Sequence, residues 1–81
     1  MLNVHDEQRL RAFLKDRFHS YSDALATSAP LDDIVDSLGL FELVEFVERT
    51  WEIRVPTADF SPQRFSSIRN ILDLISELQP A

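Results

Sequence analysis

The run Asp36-Ser37-Leu38, continued by GLFELVEFVERTW over residues 39–51, constrains this chain more than any other stretch. Phe41, Val44, Val47 and Trp51 recur at spacings of three and four, and Leu40, Leu43 and Phe46 widen the stripe. That is the period of an amphipathic helix, where a strand would alternate. Asp36 and Ser37 stand at its start, and their side-chain oxygens suit backbone N–H groups that a first turn leaves unpaired. Glu42, Glu45 and Glu48 also follow one another by threes, forming a second, acidic ridge on the helix. A hydroxyl thus stands at the positive end of a helix whose outer edge is negative.

The chain has 81 residues, which makes one domain, residues 1–81. A chain of this length buries only about 60–65% of the surface it would expose unfolded. It contains no cysteine, so no disulfide supports the core and no thiolate holds a metal. His5 and His19 lack clustered partners and read as ordinary surface or boundary histidines. The apolar runs fall far short of the ~20 residues of a membrane span, and no signal-peptide core follows Met1. The expectation is a cytoplasmic protein with no membrane span. One glycine, four prolines and many Leu, Ile and Phe argue against disorder and against tight-hairpin β folds.

The net charge of −6 is unevenly placed. Residues 31–52 hold seven acids against one base, whereas the flanking segments balance. Phosphate backbones would be repelled there, so nucleic acid is excluded as a partner. A basic protein surface would be attracted, mainly through faster association.

Along the chain, a first helix is expected from about residues 3–6 to His19, with Leu10, Phe13, Leu14 and Phe18 on its apolar face. Residues 20–35 mix turn formers with Tyr21, Leu25, Leu31, Ile34 and Val35, which reads as an ordered connection pinned to the core, with a short turn around Leu31 to Ile34. The central helix covers residues 37–51, with Leu43, Val47 and Trp51 in the core. Pro56 then biases Val55 out of helical geometry. Pro62 after a cap at Ser61 predicts one short helical turn over residues 61–65. Ser66 or Ser67 starts the last helix, whose face is Ile68, Ile71, Leu72, Ile75 and Leu78, and Pro80 ends it. The expected fold is all-α: a four-helix bundle of three main helices and one short one, with a long first loop.

The plainest role for Ser37 is an N-cap, with the glutamates as a solvated face. Two features weigh against it. Acids crowd both sides of this serine despite repelling one another, and Leu38, Leu40 and Phe41 are more apolar than one buried face absorbs. At least one of the three should be exposed beside the hydroxyl. Hydrolytic catalysis would need a general base and an oxyanion hole, but the G-x-S-x-G elbow is missing and both histidines belong to the first helix or its margin. No catalytic residue is therefore assigned. Asp32, Asp36 and Glu42 lack the glycine and twelfth-position glutamate of a calcium loop, and no metal site is assigned either.

DSL, then ELVEFVE, then Trp51, then the I-x-V-P of WEIRVP, then FSSIRNILDLI, together resemble the acyl carrier proteins over nearly the full chain, to Leu78. DSL alone is weak; the set at this spacing is strong. The resemblance implies a four-helix bundle in which Ser37 is the attachment point of a 4′-phosphopantetheine arm, transferred from coenzyme A by a phosphopantetheinyl transferase. Cargo would ride as a thioester on the arm's thiol, which explains how a chain without cysteine could carry acyl groups. It further implies that residues 37–51 form the partner-binding helix. Asp36, Glu42, Glu45 and Glu48 would supply acidic contacts, and Leu38 and Phe41 apolar ones, to acyl-loading and acyl-transferring enzymes with basic docking surfaces. The protein itself is expected to be a monomer. Should cargo fold back into the bundle, Phe46, Ile53 and Ile68 would line it, in competition with plain core packing.

Three departures from the family pattern stand out. Ile34-Val35-Asp36 precede the serine where many carriers have a glycine, and Gly39 stands where fatty-acid carriers commonly have a second acid. TADFSPQRFSS, residues 57–67, is slightly longer than its counterpart. They point away from housekeeping fatty-acid synthesis and toward a polyketide, lipopeptide or specialised extender-unit pathway. The Asp before Ser37 favours acyl over peptidyl carriers, and Met1 without a flanking linker suggests a stand-alone carrier in a dissociated pathway. The competing reading is a helical docking module whose acidic helix binds a basic partner without any arm, and a third is a degenerate carrier that keeps the fold alone.

Overall fold

The computed structural model describes residues 4–79. Three α-helices carry the fold: α1 (Val4–Arg17), α2 (Ser37–Trp51) and α3 (Ile68–Leu78), with one 3-10 turn at Thr57–Asp59. Among the described residues there is no strand. The core draws Leu10 and Leu14 from α1, Leu43 and Val47 from α2, and Ile68, Ile71, Leu74 and Ile75 from α3, all essentially inaccessible. Burying each such side chain contributes roughly 1.5–3 kcal/mol, and no single helix this short holds itself together without it. Trp51 joins the core and donates its indole N–H to Asp6 Oδ1 at 2.9 Å, tying the end of α2 to the start of α1.

The central helix begins and ends where the apolar period predicts. α1 stops two residues short of His19, and Phe18 continues only as a last N–H donated to Leu14 O at 2.9 Å. Leu74 was not on the expected face of α3 but is fully buried, and Leu78 is half-buried. The expected stop at Pro80 lies outside the described residues.

The long first connection is ordered by backbone bonds to the far side of the chain. Leu31 is buried and donates its N–H to Ser66 O at 2.8 Å, while Arg69 N–H reaches Thr27 O at 2.9 Å. The turn expected around Leu31 is present, because the N–H groups of Ile34 and Val35 both reach Leu31 O, at 2.9 and 2.8 Å. Through these bonds the segment just before Ser37 is fixed relative to α3.

Residues 62–65 make a turn, as expected, but it is not continued as a helix, so a fourth, short helix is not confirmed there. Ser61 Oγ does accept from Arg64 N–H at 3.4 Å, but the turn goes no further. The Gln63 carbonyl, which a continuing helix would pair with a backbone N–H, accepts instead from Ser66 Oγ at 2.9 Å and Asn70 Nδ2 at 3.2 Å. Side chains have replaced the helical ladder there. Ser67, extended at φ −153° and ψ 162°, then caps α3 through Asn70 N–H at 3.1 Å. The helical turn between α2 and α3 lies earlier, at residues 57–59.

α2 ends on Glu52 in the left-handed region, φ 53° and ψ 47°, with Ile53 N–H donating back to Glu48 O at 3.1 Å. A glycine is the usual occupant of such a position; here Glu52 adopts it, and the helix stop is signalled instead by Pro56 and the loss of the apolar period.

Candidate functional site

At the start of α2 it is Asp36, not Ser37, that caps. Asp36 is extended, and its Oδ1 accepts from Gly39 N–H at 2.7 Å. Ser37 is therefore the first residue inside the helix, exposed, and its hydroxyl makes no hydrogen bond among the described residues. The N-cap reading of Ser37 is overturned by this geometry. A side chain at the first helical position points away from the N–H groups it would have to cap, and its neighbour has taken the cap role.

Gly39 explains how close the surrounding chain comes. A Cβ there would lie 2.6 Å from Phe18 Cε1 and 3.0 Å from Asp36 Oδ1. The ring that closes α1 thus rests on the first turn of α2, and an acidic side chain at position 39 has no room. Neither the contact nor its need for glycine was visible in the sequence, where Phe18 and Gly39 are 21 positions apart.

Of Leu38, Leu40 and Phe41, two are exposed: Leu38 is 75% accessible and Phe41 60%, while Leu40 is half-buried. Phe41 has the ring of Phe60 beside it, centroids 5.2 Å apart and planes tilted by 45°. The site therefore presents an exposed hydroxyl, one exposed apolar side chain next to it and another a turn further on, and acids around them. Asp32 and Asp33 are exposed in the turn that leads in.

The three glutamates of the ridge differ from one another. Glu42 meets Arg17 of α1 at 2.6 Å; hydrogen bonding and the charge of Glu42 raise the Arg17 guanidinium above its ordinary range. Glu45 pairs with Arg49 one turn along α2. Both pairs are solvent-exposed and contribute little to stability. Glu48 is half-buried, and its Oε2 accepts from Val55 N–H at 2.8 Å, which fixes the chain leaving α2. The ridge is thus two lightly paired surface acids and one that also holds the fold.

A cleft of about 340 Å³ opens beside Ser37. Leu31, Val35, Leu40 and Phe65 give it apolar walls, and Asp32, Asp36 and Ser66 stand among its polar lining. A second, more polar hollow of about 460 Å³ lies on the other side of Asp36, between Phe18, Asp33, Leu38 and Glu42. Neither is lined by a histidine. Phe46, Ile53 and Ile68 line neither: Ile53 and Ile68 are core residues, and Phe46 stacks on Phe13 at 4.2 Å. The cleft near the serine is built from the first connection and the segment before α3, while Phe46 borders a third hollow of about 320 Å³ with Phe13, Arg17 and Arg49. No group of three or more potential metal ligands gathers among the described residues. No helix among them is long and apolar enough to cross a membrane.

No family model and no solved structure matches this chain. Curated proteins do match. A D-alanyl carrier protein of Streptococcus uberis is 35% identical over 48 residues, which cover 59% of this chain and 61% of that protein. D-alanyl carrier proteins of Streptococcus pyogenes match with the same identity and coverage. The chain thus spans about three fifths of the length of the curated relatives it matches. A carrier is not an enzyme, so these names agree with the absence of any catalytic assignment in the sequence. The chain sets an exposed serine at the start of an acidic-edged helix, and over about three fifths of its length it is similar to curated D-alanyl carrier proteins.

Proposed function

We propose that this protein is a carrier that bears a 4′-phosphopantetheine arm on Ser37 and hands its cargo between cytoplasmic enzymes. The observation that carries this reading is the free, exposed Ser37 hydroxyl beside a cap supplied by Asp36. The residues present suit the group. Ser37 Oγ would hold it covalently, and the first-turn N–H groups of Ser37 and Leu38, which have no carbonyl within the helix, would meet its phosphate charge. Asp36 opposes that charge but stands in water, where salt screens it. When attached, the arm supplies the thiol on which cargo is held as a thioester.

Leu38 and Phe41, with Asp36, Glu42, Glu45 and Glu48, form the face that enzymes with basic docking surfaces would recognise: the phosphopantetheinyl transferase first, then loading and accepting enzymes. The relatives' name favours an aminoacyl cargo of the D-alanyl kind. It gives no support to the polyketide, lipopeptide or extender-unit pathways that the departures from the family pattern suggested.

The test is incubation with coenzyme A and a broad-specificity phosphopantetheinyl transferase, read by intact mass. The wild type should gain the mass of one arm and Ser37→Ala none. A wild type that stays unmodified while a control carrier is loaded would overturn the reading in favour of an armless docking module.

A further inference from the structure

The segment between α2 and α3 sets a second aromatic ring, partly packed on the core, beside the exposed Phe41. The 3-10 turn Thr57–Asp59 buries none of its residues, yet it is well bonded: Asp59 N–H reaches Pro56 O at 2.9 Å, and Phe60 N–H reaches Thr57 O at 3.1 Å. Arg64 ties the turn to α3, meeting Asp59 at 3.8 Å and Glu77 at 2.6 Å. What this braced turn delivers is Phe60, half-buried and set against the exposed ring of Phe41.

We propose that Phe60 is part of the docking face, and that Phe41 and Phe60 act as one aromatic unit recognised by an enzyme surface with an apolar recess and a basic rim. The proposal rests on the carrier reading and adds a contact outside α2. Leu38 and Phe41, 75% and 60% accessible and three residues apart on α2, together with Phe60 make an apolar patch of the kind that marks an interaction site. The second ring limits how far Phe41 can swing, so less freedom is lost when a partner closes over it. Charge identifies the partner: the excess negative charge of the whole chain lies on residues 31–52, and Glu42 and Glu45 follow Phe41 directly on the same helix. Association energy concentrates on a few anchors that a partner's pocket fully desolvates, and a ring pair offers such an anchor.

The experiment measures loading kinetics with a phosphopantetheinyl transferase and coenzyme A for the wild type, Phe60→Ala, Phe60→Leu, Phe41→Ala and the double alanine variant, with a thermal melt of each. Phe60→Ala should raise KM by about five- to ten-fold with kcat unchanged, and Phe60→Leu should raise it by less. The double variant should be scarcely worse than Phe41→Ala, because the rings act together. Should Phe60→Ala fold poorly, the leucine variant, which keeps an apolar side chain, decides alone. Wild-type KM in folded Phe60 variants overturns this proposal and leaves the carrier reading standing. A wild type that is never loaded overturns both.

Discussion

Asp36 Oδ1 holds the Gly39 N–H at 2.7 Å, and by doing so it leaves the Ser37 hydroxyl outside the capping arrangement of α2. The two adjacent residues therefore divide their labour, one anchoring the helix and the other facing solvent. Removing the Ser37 hydroxyl should change stability by no more than about 0.5 kcal/mol, whereas Asp36→Ala should lose about 1 kcal/mol. Urea melts of the two variants test this. Equal losses would mean that the serine shares the cap.

Gly39→Ala sets helix propensity against space. Alanine favours a helix by up to about 1 kcal/mol over glycine. Its Cβ, however, would have to sit 2.6 Å from the Phe18 ring, which also packs edge-on against Phe13 with centroids 6.1 Å apart. Overpacking of this kind costs about 1–3 kcal/mol, so the variant should be less stable than the wild type. A melt showing Gly39→Ala to be more stable would mean that Phe18 yields freely.

Reversing the charge at Glu42 removes an attraction for basic partners and leaves Arg17 without its 2.6 Å partner. Glu42→Lys should slow loading by a transferase several-fold at low ionic strength, with the gap narrowing as salt is raised toward about 1 M. The measurement is the initial loading rate across a salt series. A defect that does not depend on salt would assign Glu42 a role other than steering.

The Trp51 indole reaches Asp6 Oδ1 from 45 positions away in the chain. Asp6→Ala should cost about 1–2 kcal/mol by leaving a mostly buried N–H without its acceptor. Asp6→Asn keeps an acceptor and should lose less. Tryptophan fluorescence during urea unfolding reports both stability and the environment of the indole. An alanine variant as stable as the wild type would show that water replaces the carboxylate at no cost.

Much of this was legible before any coordinates. The spacing of Phe41, Val44, Val47 and Trp51 placed α2 to the residue, because period and end signals agree there. The exposure of an apolar side chain beside Ser37 followed from counting: a single buried face cannot take Leu38, Leu40 and Phe41 together. At residues 61–65 the Ser-Pro pair signals the turn that is present but says nothing about whether it continues as a helix. Its fate depended on Ser66 and Asn70 side chains capturing the Gln63 carbonyl.

Sequence by itself determined the helices, the pile of negative charge at the centre of the chain and the serine at its edge, since all three are local or additive properties. Tertiary structure alone decided that Asp36 takes the cap, that Phe18 crowds any side chain at position 39, that Glu48 turns back to hold Val55, and that Phe60 meets Phe41. Each of these joins atoms whose meeting depends on how the helices and turns come to lie, and no periodicity along the chain encodes a distance between them.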